Sequence, residues 1–254
     1  MSKTASRTIL FAADTHFHLV PHRGEEQRLG RFLEFLHAAQ AADDLVLLGD
    51  LFDFWFDYPH FRLRGYEEIL SALDRVRDSG TTLHFVGGNH DIWVAPFFHE
   101  RYGTSADGSP CTLETDGQRI RLIHGDGLLV RDWIYGGFRK IVRNTFAVTL
   151  AKSLHPELLY HFCCWLSGTS RKASRDESAL IVKRAGRYLA RPGHDWDLLL
   201  IGHVHHAFLI ENEGRRMAAL GSWFGEESYG MWRNGRFSLH DFSDGLAFGT
   251  EENP

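Results

Sequence analysis

The chain has 254 residues, of which 43% are hydrophobic and 24% are charged, with a formal net charge of −5, a composition typical of globular rather than disordered proteins. No run approaches the roughly 20 apolar residues of a membrane-spanning helix, and the first apolar run, residues 9–13, is too short for the core of a secretion signal. The three cysteines form neither a zinc-binding spacing nor a disulfide framework, so we expect a reducing, cytoplasmic compartment.

The first half of the chain alternates between apolar runs that predict buried strands and amphipathic stretches that predict helices. Short apolar runs bounded by Gly, Asp or Asn are typical of strands, whereas apolar residues three and four positions apart indicate helices. In chain order, we predict a strand in 8–14, a helix in 25–40, a strand in 44–50, a helix in 66–80, and strands in 81–91 and 118–127.

A long interruption, about 131–191, separates the fourth predicted strand from the fifth. Apolar residues recur at helical spacing from 138 to 150, and 155–166 is apolar on almost every side, so we predict a helical insertion. The insertion carries 12 Lys/Arg against 4 Asp/Glu, whereas the rest of the chain carries 16 against 29. This basic segment indicates an anionic partner, although a solvated helical surface explains the charge equally well.

After the insertion, predicted strands follow one another without intervening helices. They lie in 196–206 and 215–223, and 230–242 reads as a closing hairpin with Asn234-Gly235 as its turn. Strands that first alternate with helices and then succeed one another indicate a layered α/β fold. We therefore predict a single domain over 1–254, with sheets flanked by helices and the helical insertion at about 131–191.

Acidic, amide and imidazole side chains follow five successive predicted strands. Because the carboxyl ends of strands in α/β sheets share one edge, we expect these side chains to converge. A single strand-end Asp or His is more often a cap or a hydrogen-bond partner, but five in order indicate a metal site. In strand order, the residues are Asp14 and His16; Asp50; Asn89, His90 and Asp91; His124 and Asp126; and His203 and His205, which alternate and so point the same way.

The donor types restrict the metal. Imidazole combined with carboxylate and an amide oxygen suits Mn, Fe, Zn or Co rather than an ion that seeks thiolates. Seven of these ten side chains, taken as ligands, would be too many for one ion and suit two ions that share a carboxylate. Two ions about 3.5–4 Å apart clamp the attacking and leaving oxygens of a displacement at phosphorus. The pattern therefore predicts a two-metal centre for phosphoester chemistry.

Five short motifs resemble the signature blocks of the calcineurin-like metallophosphoesterases. They are DTH, GDLFDFW, GGNHD, HGD and GHVHH, in the family's order across residues 14–206. The resemblance implies the family's layered sandwich and two divalent ions, which we expect to be Mn²⁺, with a bridging hydroxide as nucleophile. It assigns Asp14, His16, Asp50 and His205 to one ion, and Asp50, Asn89, His124 and His203 to the other.

The same resemblance implies roles for residues behind and beside the ions. His90 would not bind metal but would face the substrate phosphate as an acid or electrostatic stabiliser, and Asn89 would also contact substrate. Asp91 and Asp126 would orient the ligands from behind.

Two features narrow the substrate. GDLFDFW followed by Asp57, and the helical insertion as a cap, resemble the UDP-2,3-diacylglucosamine pyrophosphohydrolases of lipid A synthesis, which release UMP and a diacylated sugar 1-phosphate. A basic and apolar cap suits a lipid-linked nucleotide with an anionic head and acyl tails, bound at the inner face of the cytoplasmic membrane. Residues 167–178 correspond to a helix that contacts the headgroup in those enzymes, so Arg171 and Lys172 are expected to contact phosphate.

One position departs from those lipid enzymes. Their best-known branch has Arg where this chain has His90, which is the form typical of phosphoesterases at large. The alternative function is therefore a phosphoesterase for another nucleotide or a small phosphorylated metabolite. A non-catalytic scaffold is a third alternative, but such scaffolds lose ligands and every expected ligand is present here. Nucleic acid is not an expected partner because the basic residues are confined to the insertion, and the sequence predicts no oligomeric state.

Overall fold

Two five-stranded sheets form the centre of the fold in the computed structural model, which describes residues 7–56, 64–104, 109–129, 144, 149–151, 153–161 and 178–245. The strands of these residues are β1 (Ile9–Ala12), β2 (Asp44–Leu47), β3 (Thr82–Phe85), β4 (Cys111–Thr115), β5 (Gln118–Ile123), β6 (Leu198–Ile201), β7 (Ala207–Asn212), β8 (Arg215–Leu220), β9 (Ser228–Arg233) and β10 (Arg236–Asp241). The first sheet has the order β10-β9-β1-β2-β3, and the second has the order β4-β5-β6-β8-β7. Within them, β1, β2 and β3 run parallel, as do β5, β6 and β8, so each set ends at one edge of its sheet.

The central strands face two apolar cores at once. In β1, Ile9 and Phe11 join a core made by both sheets, whereas Leu10 and Ala12 join a core shared with helices. Successive side chains of a strand point to opposite faces, so a strand between two cores must be apolar throughout. All four residues of β6 are buried for the same reason.

Helices cover the outer face of each sheet. The helices described along their whole length are α1 (Glu25–Ala39), α2 (Glu67–Asp78), α3 (Ala95–Tyr102) and α4 (Ser178–Leu189), and single 3-10 turns lie at Ile92–Val94 and Phe242–Asp244. In α2 the buried residues Ile69, Ala72, Leu73 and Val76 have the spacing of one helical face. None of these helices combines the length and apolarity that crossing a membrane requires.

The predicted α/β sandwich is confirmed, and each predicted strand and early helix overlaps an observed one, although β9 of the closing hairpin begins two residues before the predicted range. The prediction omits α3 and the two strands β4 and β7, which form the edges of the second sheet and are only partly buried. Edge strands lack the continuous apolar run of central strands, but their hairpin turns carry a sequence signal. Asp116-Gly117, Glu213-Gly214 and the predicted Asn234-Gly235 all have positive φ at both positions, as two-residue hairpin turns of type I′ require.

The predicted insertion is only partly described. Residues 149–151 and 156–161 are helical, and α4 packs on the second sheet, where Ile181, Ala185 and Leu189 meet Leu199 and Met217. Leu159 is buried against Phe54 and Phe56, which lie after β2. The remainder of 131–191 lies outside the described residues, so the cap and the single-domain division stay predictions.

Candidate metal centre

The polar residues that follow the parallel strands meet at one edge of the two sheets. Loops after β1, β2 and β3 of the first sheet and after β5 and β6 of the second supply them. Backbone hydrogen bonds join the first two loops, since the N–H of Asp14 donates to the carbonyl of Gly49 (3.1 Å) and that of His16 to the carbonyl of Asp50 (2.9 Å). The convergence expected from strand order is present in the structure.

Asp50 lies between imidazoles supplied by different sheets. Its carboxylate is buried, and Oδ1 accepts a hydrogen bond from the backbone N–H of His90 at 2.9 Å. Oδ2 lies 3.6 Å from Nε2 of His16 and 3.3 Å from Nε2 of His124. One oxygen is thus fixed by the backbone while the other faces both imidazoles, which is the arrangement that a bridging carboxylate needs.

Asp14 repeats this arrangement on one side of Asp50. Its Oδ2 accepts from the backbone N–H of His203 at 2.8 Å. Its Oδ1 is buried, has no hydrogen-bond partner among the described residues, and lies 3.4 Å from Nε2 of His205. Nε2 of His205 lies in turn 3.3 Å from Nε2 of His16. Asp14, His16 and His205 therefore aim one donor atom each at a common point.

The amide of Asn89 completes a second group on the other side of Asp50. Asn89 Oδ1 lies 3.0 Å from Nε2 of His124 and 3.0 Å from Nδ1 of His203. Candidate donor atoms of Asp50, His124 and His203 also lie within 4.8 Å of one another. The structure thus brings together all seven residues predicted as metal ligands, in two groups that share Asp50.

Polar groups of the protein face the far nitrogens of two imidazoles. Nδ1 of His124 donates to the carbonyl of Leu48 at 2.8 Å, which leaves the Nε2 lone pair of the neutral ring for the site. Nδ1 of His16 makes no hydrogen bond among the described residues, but it lies 3.5 Å from Oδ1 of Asp53, and its Nε2 faces Asp14 and Asp50. Metal-binding histidines are typically oriented by a partner on the other ring nitrogen.

Burial and neighbouring charge both shift the pKa values of these groups, and for all of them except His203 the main effects are opposed. Burial disfavours protonation of His16, but Asp14 and Asp50 outweigh it and raise the pKa of His16 to about 9. His124 is equally buried, and Asp50 raises its pKa to about 10. Burial, reinforced by positive His124, lowers the pKa of His203 to about 4. For Asp14 and Asp50, burial opposes the charge, yet the nearby histidines hold the pKa of both carboxyls below the usual range.

The backbone of the site is held in an uncommon conformation. Asp14, His16, Asp50 and His203 have φ of 53°, 46°, 53° and 63°, in the left-handed region that residues with a Cβ seldom adopt. Such conformations cost on the order of 1–3 kcal/mol each and persist where the surrounding structure enforces them. Their concentration in four predicted ligands marks this edge as a functional site.

Asp91 positions the loop of Asp50 rather than a ligand side chain. Its buried carboxylate accepts from the backbone N–H groups of Gly88 and Leu51, both at 2.8 Å. Burial, followed by the negative charge of Asp50, raises the pKa of Asp91 to about 6. The supporting role predicted for Asp91 would therefore act through the backbone N–H groups of Gly88 and Leu51, which lie next to Asn89 and Asp50 in the chain.

Of the remaining predicted residues, the structure describes Asp126 but not Arg171 or Lys172. Asp126 is half-buried, and its negative charge is one of the influences that raise the pKa of His124. Arg171 and Lys172, predicted to contact phosphate, lie outside the described residues, so their role stays a prediction.

Asp53 is a site residue that the sequence reasoning missed. It is buried, and its carboxylate lies 3.4 Å from Nδ1 of His90, 3.5 Å from Nδ1 of His16 and 3.6 Å from Nε2 of His18. Although burial opposes its charge, His16 and His90 hold the pKa of Asp53 well below its usual range. The available signal was a second carboxylate three residues after Asp50 in GDLFDFW.

His90 lies at the same edge, with one nitrogen held by the protein. Its Nδ1 donates to the carbonyl of Asp53 at 3.1 Å, because a carbonyl can only accept. The ring stands edge-on to that of His16, with centroids 4.6 Å apart. Donor atoms of His16, Asp50 and His90 also form a group that could hold an ion. Whether His90 faces metal or substrate therefore stays a prediction.

The residues fit divalent cations. Buried carboxylate oxygens of Asp14 and Asp50 face the groups of imidazoles, and Asp14 Oδ1 has no hydrogen-bond partner in the described part of the chain. The buried carboxylates raise the pKa of His16 and of His124, so the site favours positive charge between them. Oxygen and imidazole donors in this combination are those of divalent transition metals. We conclude that this edge of the sheets binds divalent metal.

Comparison with known sequences agrees with this chemistry. A family model described as calcineurin-like phosphoesterase matches residues 7–207. UDP-2,3-diacylglucosamine hydrolase of Aeromonas hydrophila is 32% identical over 239 residues, covering 91% of this chain and 96% of the relative. The protein of the same name from Porphyromonas gingivalis is 26% identical over 264 residues, covering 93% and 98%.

Solved structures show more distant similarity. An archaeal phosphodiesterase superposes with a TM-score of 0.46 at 10% identity, covering 92% of this chain and 99% of that chain. Vacuolar protein sorting 29 from Cryptosporidium parvum gives a TM-score of 0.43 at 12% identity, covering 93% and 96%. Both similarities are too distant to bear on function.

Gly88 supplies a test of how the site is assembled. A Cβ at this position would lie 2.1 Å from Oδ1 and 2.4 Å from the backbone nitrogen of Asp50, so Gly88→Ala must displace that carboxylate. We expect weaker metal binding, and a fall in phosphodiester turnover of about 10²-fold, the cost of displacing reacting groups by about 1 Å. Metal titration and turnover of an aryl phosphodiester measure both effects.

Gly186→Ala is the matched control. Gly186 lies in α4, and nothing within 4 Å would meet its Cβ. We expect unchanged metal binding and a gain in unfolding free energy of up to about 1 kcal/mol from helix propensity. Normal metal content and turnover in Gly88→Ala would show that the Asp50 carboxylate is not held by this close approach.

Proposed function

Because the chain belongs to the calcineurin-like phosphoesterase family, we propose that it hydrolyses the pyrophosphate of UDP-2,3-diacylglucosamine to UMP and 2,3-diacylglucosamine 1-phosphate. The observation that carries metal-dependent hydrolysis is the position of Asp50 between two groups of imidazoles. The substrate is supported by relatives named UDP-2,3-diacylglucosamine hydrolase, of which this chain covers 96% and 98%.

The metal-binding residues are assigned from the two groups. The proposed ligands of the first ion are Asp14, His16, Asp50 and His205, and those of the second are Asp50, Asn89, His124 and His203. Two bound ions would supply Lewis-acid chemistry that activates water and neutralises charge on the reacting phosphate. Among the metals that suit imidazole and oxygen donors we propose Mn²⁺.

The chain itself positions the proton donor. The Nδ1–H of His90 donates to the carbonyl of Asp53, so Nε2 is the ring nitrogen that points away from this carbonyl. The carboxylate of Asp53 lies 3.4 Å from the same Nδ1. His90 can then hold a proton at Nε2 and deliver it, or its charge, to the departing phosphate oxygen.

The described part of the insertion is consistent with a lipid substrate. Leu159 and the partly buried Tyr160 pack on Phe54 and Phe56, which places helical residues of the insertion beside the loop that carries Asp50. Leu150, Leu154 and Leu158 are exposed by 59%, 48% and 66%. Apolar side chains of this kind suit contact with acyl chains or with the inner face of the cytoplasmic membrane. We place the reaction there, with Arg171 and Lys172 contacting phosphate.

A smaller phosphorylated metabolite or another nucleotide is the second candidate substrate. The observation that favours it is His90, since the best-known lipid enzymes have Arg at that position. Both candidates use the same metal chemistry, so they differ only in the contribution of acyl tails. A non-catalytic scaffold is disfavoured because all seven expected ligands converge.

Asp50→Ala tests the shared ligand. Loss of a carboxylate that belongs to both ions should abolish stable binding of two metals together with turnover of an aryl phosphodiester. Elemental analysis after desalting and a turnover assay measure these losses. Asp78→Ala, which removes an exposed carboxylate on α2, is the control and should change neither. Full metal content with near-normal turnover in Asp50→Ala contradicts the ligand assignment.

His90→Ala separates metal binding from chemistry. His90 is proposed to act on the phosphate and not on the ions. His90→Ala should therefore keep its metal content while turnover falls by about 10²–10⁴-fold. His99→Ala, on the exposed surface of α3, should match the unaltered protein. Metal loss in His90→Ala would instead make His90 a ligand.

The substrate is tested by incubating metal-loaded protein with UDP-2,3-diacylglucosamine and measuring UMP. Remote binding energy from the acyl chains should help to orient the pyrophosphate. UDP-N-acetylglucosamine, which lacks those chains, should therefore show a kcat/KM lower by roughly 10²-fold, the equivalent of three or four buried methylenes at about 0.8 kcal/mol each.

Variants of the insertion provide the controls for this test. Arg171→Ala and Lys172→Ala should lower kcat/KM for the lipid and spare a small aryl phosphodiester. Lys183→Ala, exposed on α4, should spare both. Equal efficiency with and without acyl chains would favour the smaller substrate.

A further inference from the structure

The loop between β8 and β9, residues 221–227, lies beside the candidate metal centre. The backbone N–H of Trp223 donates to the carbonyl of Asp14 at 3.2 Å. The carboxylate of Glu226 lies 2.9 Å from Nδ1 of His206. The 221–227 loop is therefore tied to the segments that carry proposed ligands on both of its sides.

The interior of the protein also anchors the 221–227 loop. Trp223 is 1% exposed, and its ring packs 4.8 Å from that of Phe32 and 5.1 Å from that of Phe35 in α1. Gly221 has a φ of 74°, and a Cβ there would lie 2.3 Å from Oγ of Ser228. These contacts hold the backbone of the loop in place. Phe224, the residue after Trp223, is held with it.

Phe224 contacts the metal-facing imidazoles but remains partly exposed. Its ring centroid lies 4.7 Å from that of His205 and 5.5 Å from that of His16, in edge-to-face arrangements. The residue is nevertheless 41% exposed. Support of the two imidazoles accounts for these contacts, but it leaves the exposed part of a large apolar ring at a polar site without a role.

We propose that Phe224 is a specificity-determining residue whose exposed part packs against a planar ring, aryl or nucleobase, attached to the substrate phosphate. Aromatic rings pair with centroids about 4.5–7 Å apart, and Phe224 lies beside two ligands proposed for the first ion. A phosphate held by that ion would present its substituent next to the ring. The inference rests on the proposed hydrolysis at this site and adds the means by which a ring is selected there.

The experiment titrates metal-loaded full-length protein with phenyl phosphate and with inorganic phosphate. Both ligands offer the ions a phosphate, and only phenyl phosphate offers a ring. In Phe224→Ala the affinity for phenyl phosphate should fall by about 3- to 10-fold, the range expected from an aromatic pair. The affinity for inorganic phosphate and the metal content should stay unchanged.

Two variants serve as controls. Phe224→Trp retains a ring and should keep the preference for phenyl phosphate. Leu209→Ala removes a side chain of similar exposure, 43%, from β7 and should leave both affinities unchanged.

The outcomes distinguish this inference from the proposed function. Equal loss of both affinities, or loss of metal, would show that Phe224 serves only to support His16 and His205. An unchanged preference would show that the ring contacts no ligand. If the lipid is not hydrolysed but Phe224→Ala loses phenyl phosphate selectively, the proposed substrate fails while this inference stands.

Discussion

The site depends on one carboxylate oxygen that faces imidazoles from both sheets. Oδ2 of Asp50 lies between His16, which comes after β1 of the first sheet, and His124, which comes after β5 of the second. Neither sheet alone could build this contact, so the packing of the two sheets determines the geometry of the metal centre. The apolar core between the sheets, including Phe11 and Leu200, therefore sets ligand distances as well as stability.

Bringing loops this close has a conformational cost that the rest of the fold offsets. Asp14, Asp50 and His203 adopt left-handed backbone conformations, and Gly88 and Gly202 approach the two carboxylates where a Cβ would not fit. Strained backbone persists only where the surrounding structure over-determines it. Here the strained residues come after strands that are buried on both faces, so rigid, well-packed elements hold them at the edge where ligands are needed.

Local sequence pattern was enough to predict the buried strands and the convergence of the candidate ligands, but not the features that tertiary packing decides. Buried strands such as β1 and β6 were predictable because they are apolar throughout, and the convergence was predictable because the candidate residues lie directly after such strands. The edge strands β4 and β7 lack that pattern. Asp53 was missed because a carboxylate in an apolar run shows no sign, by itself, of the three imidazoles that it contacts.

The residues proposed to bind metal differ from those proposed to select a substrate. The seven converging side chains follow the ends of parallel strands, so the sheets set their positions. His90 and Phe224 lie beside them, in the loops after β3 and β8, and both contact the ring of His16. Neither residue is one of the seven, so substitution of its side chain removes none of the proposed ligands. A single metal centre can therefore serve different phosphoesters, and the identity of the substrate has to be sought in those outer residues rather than in the ligands.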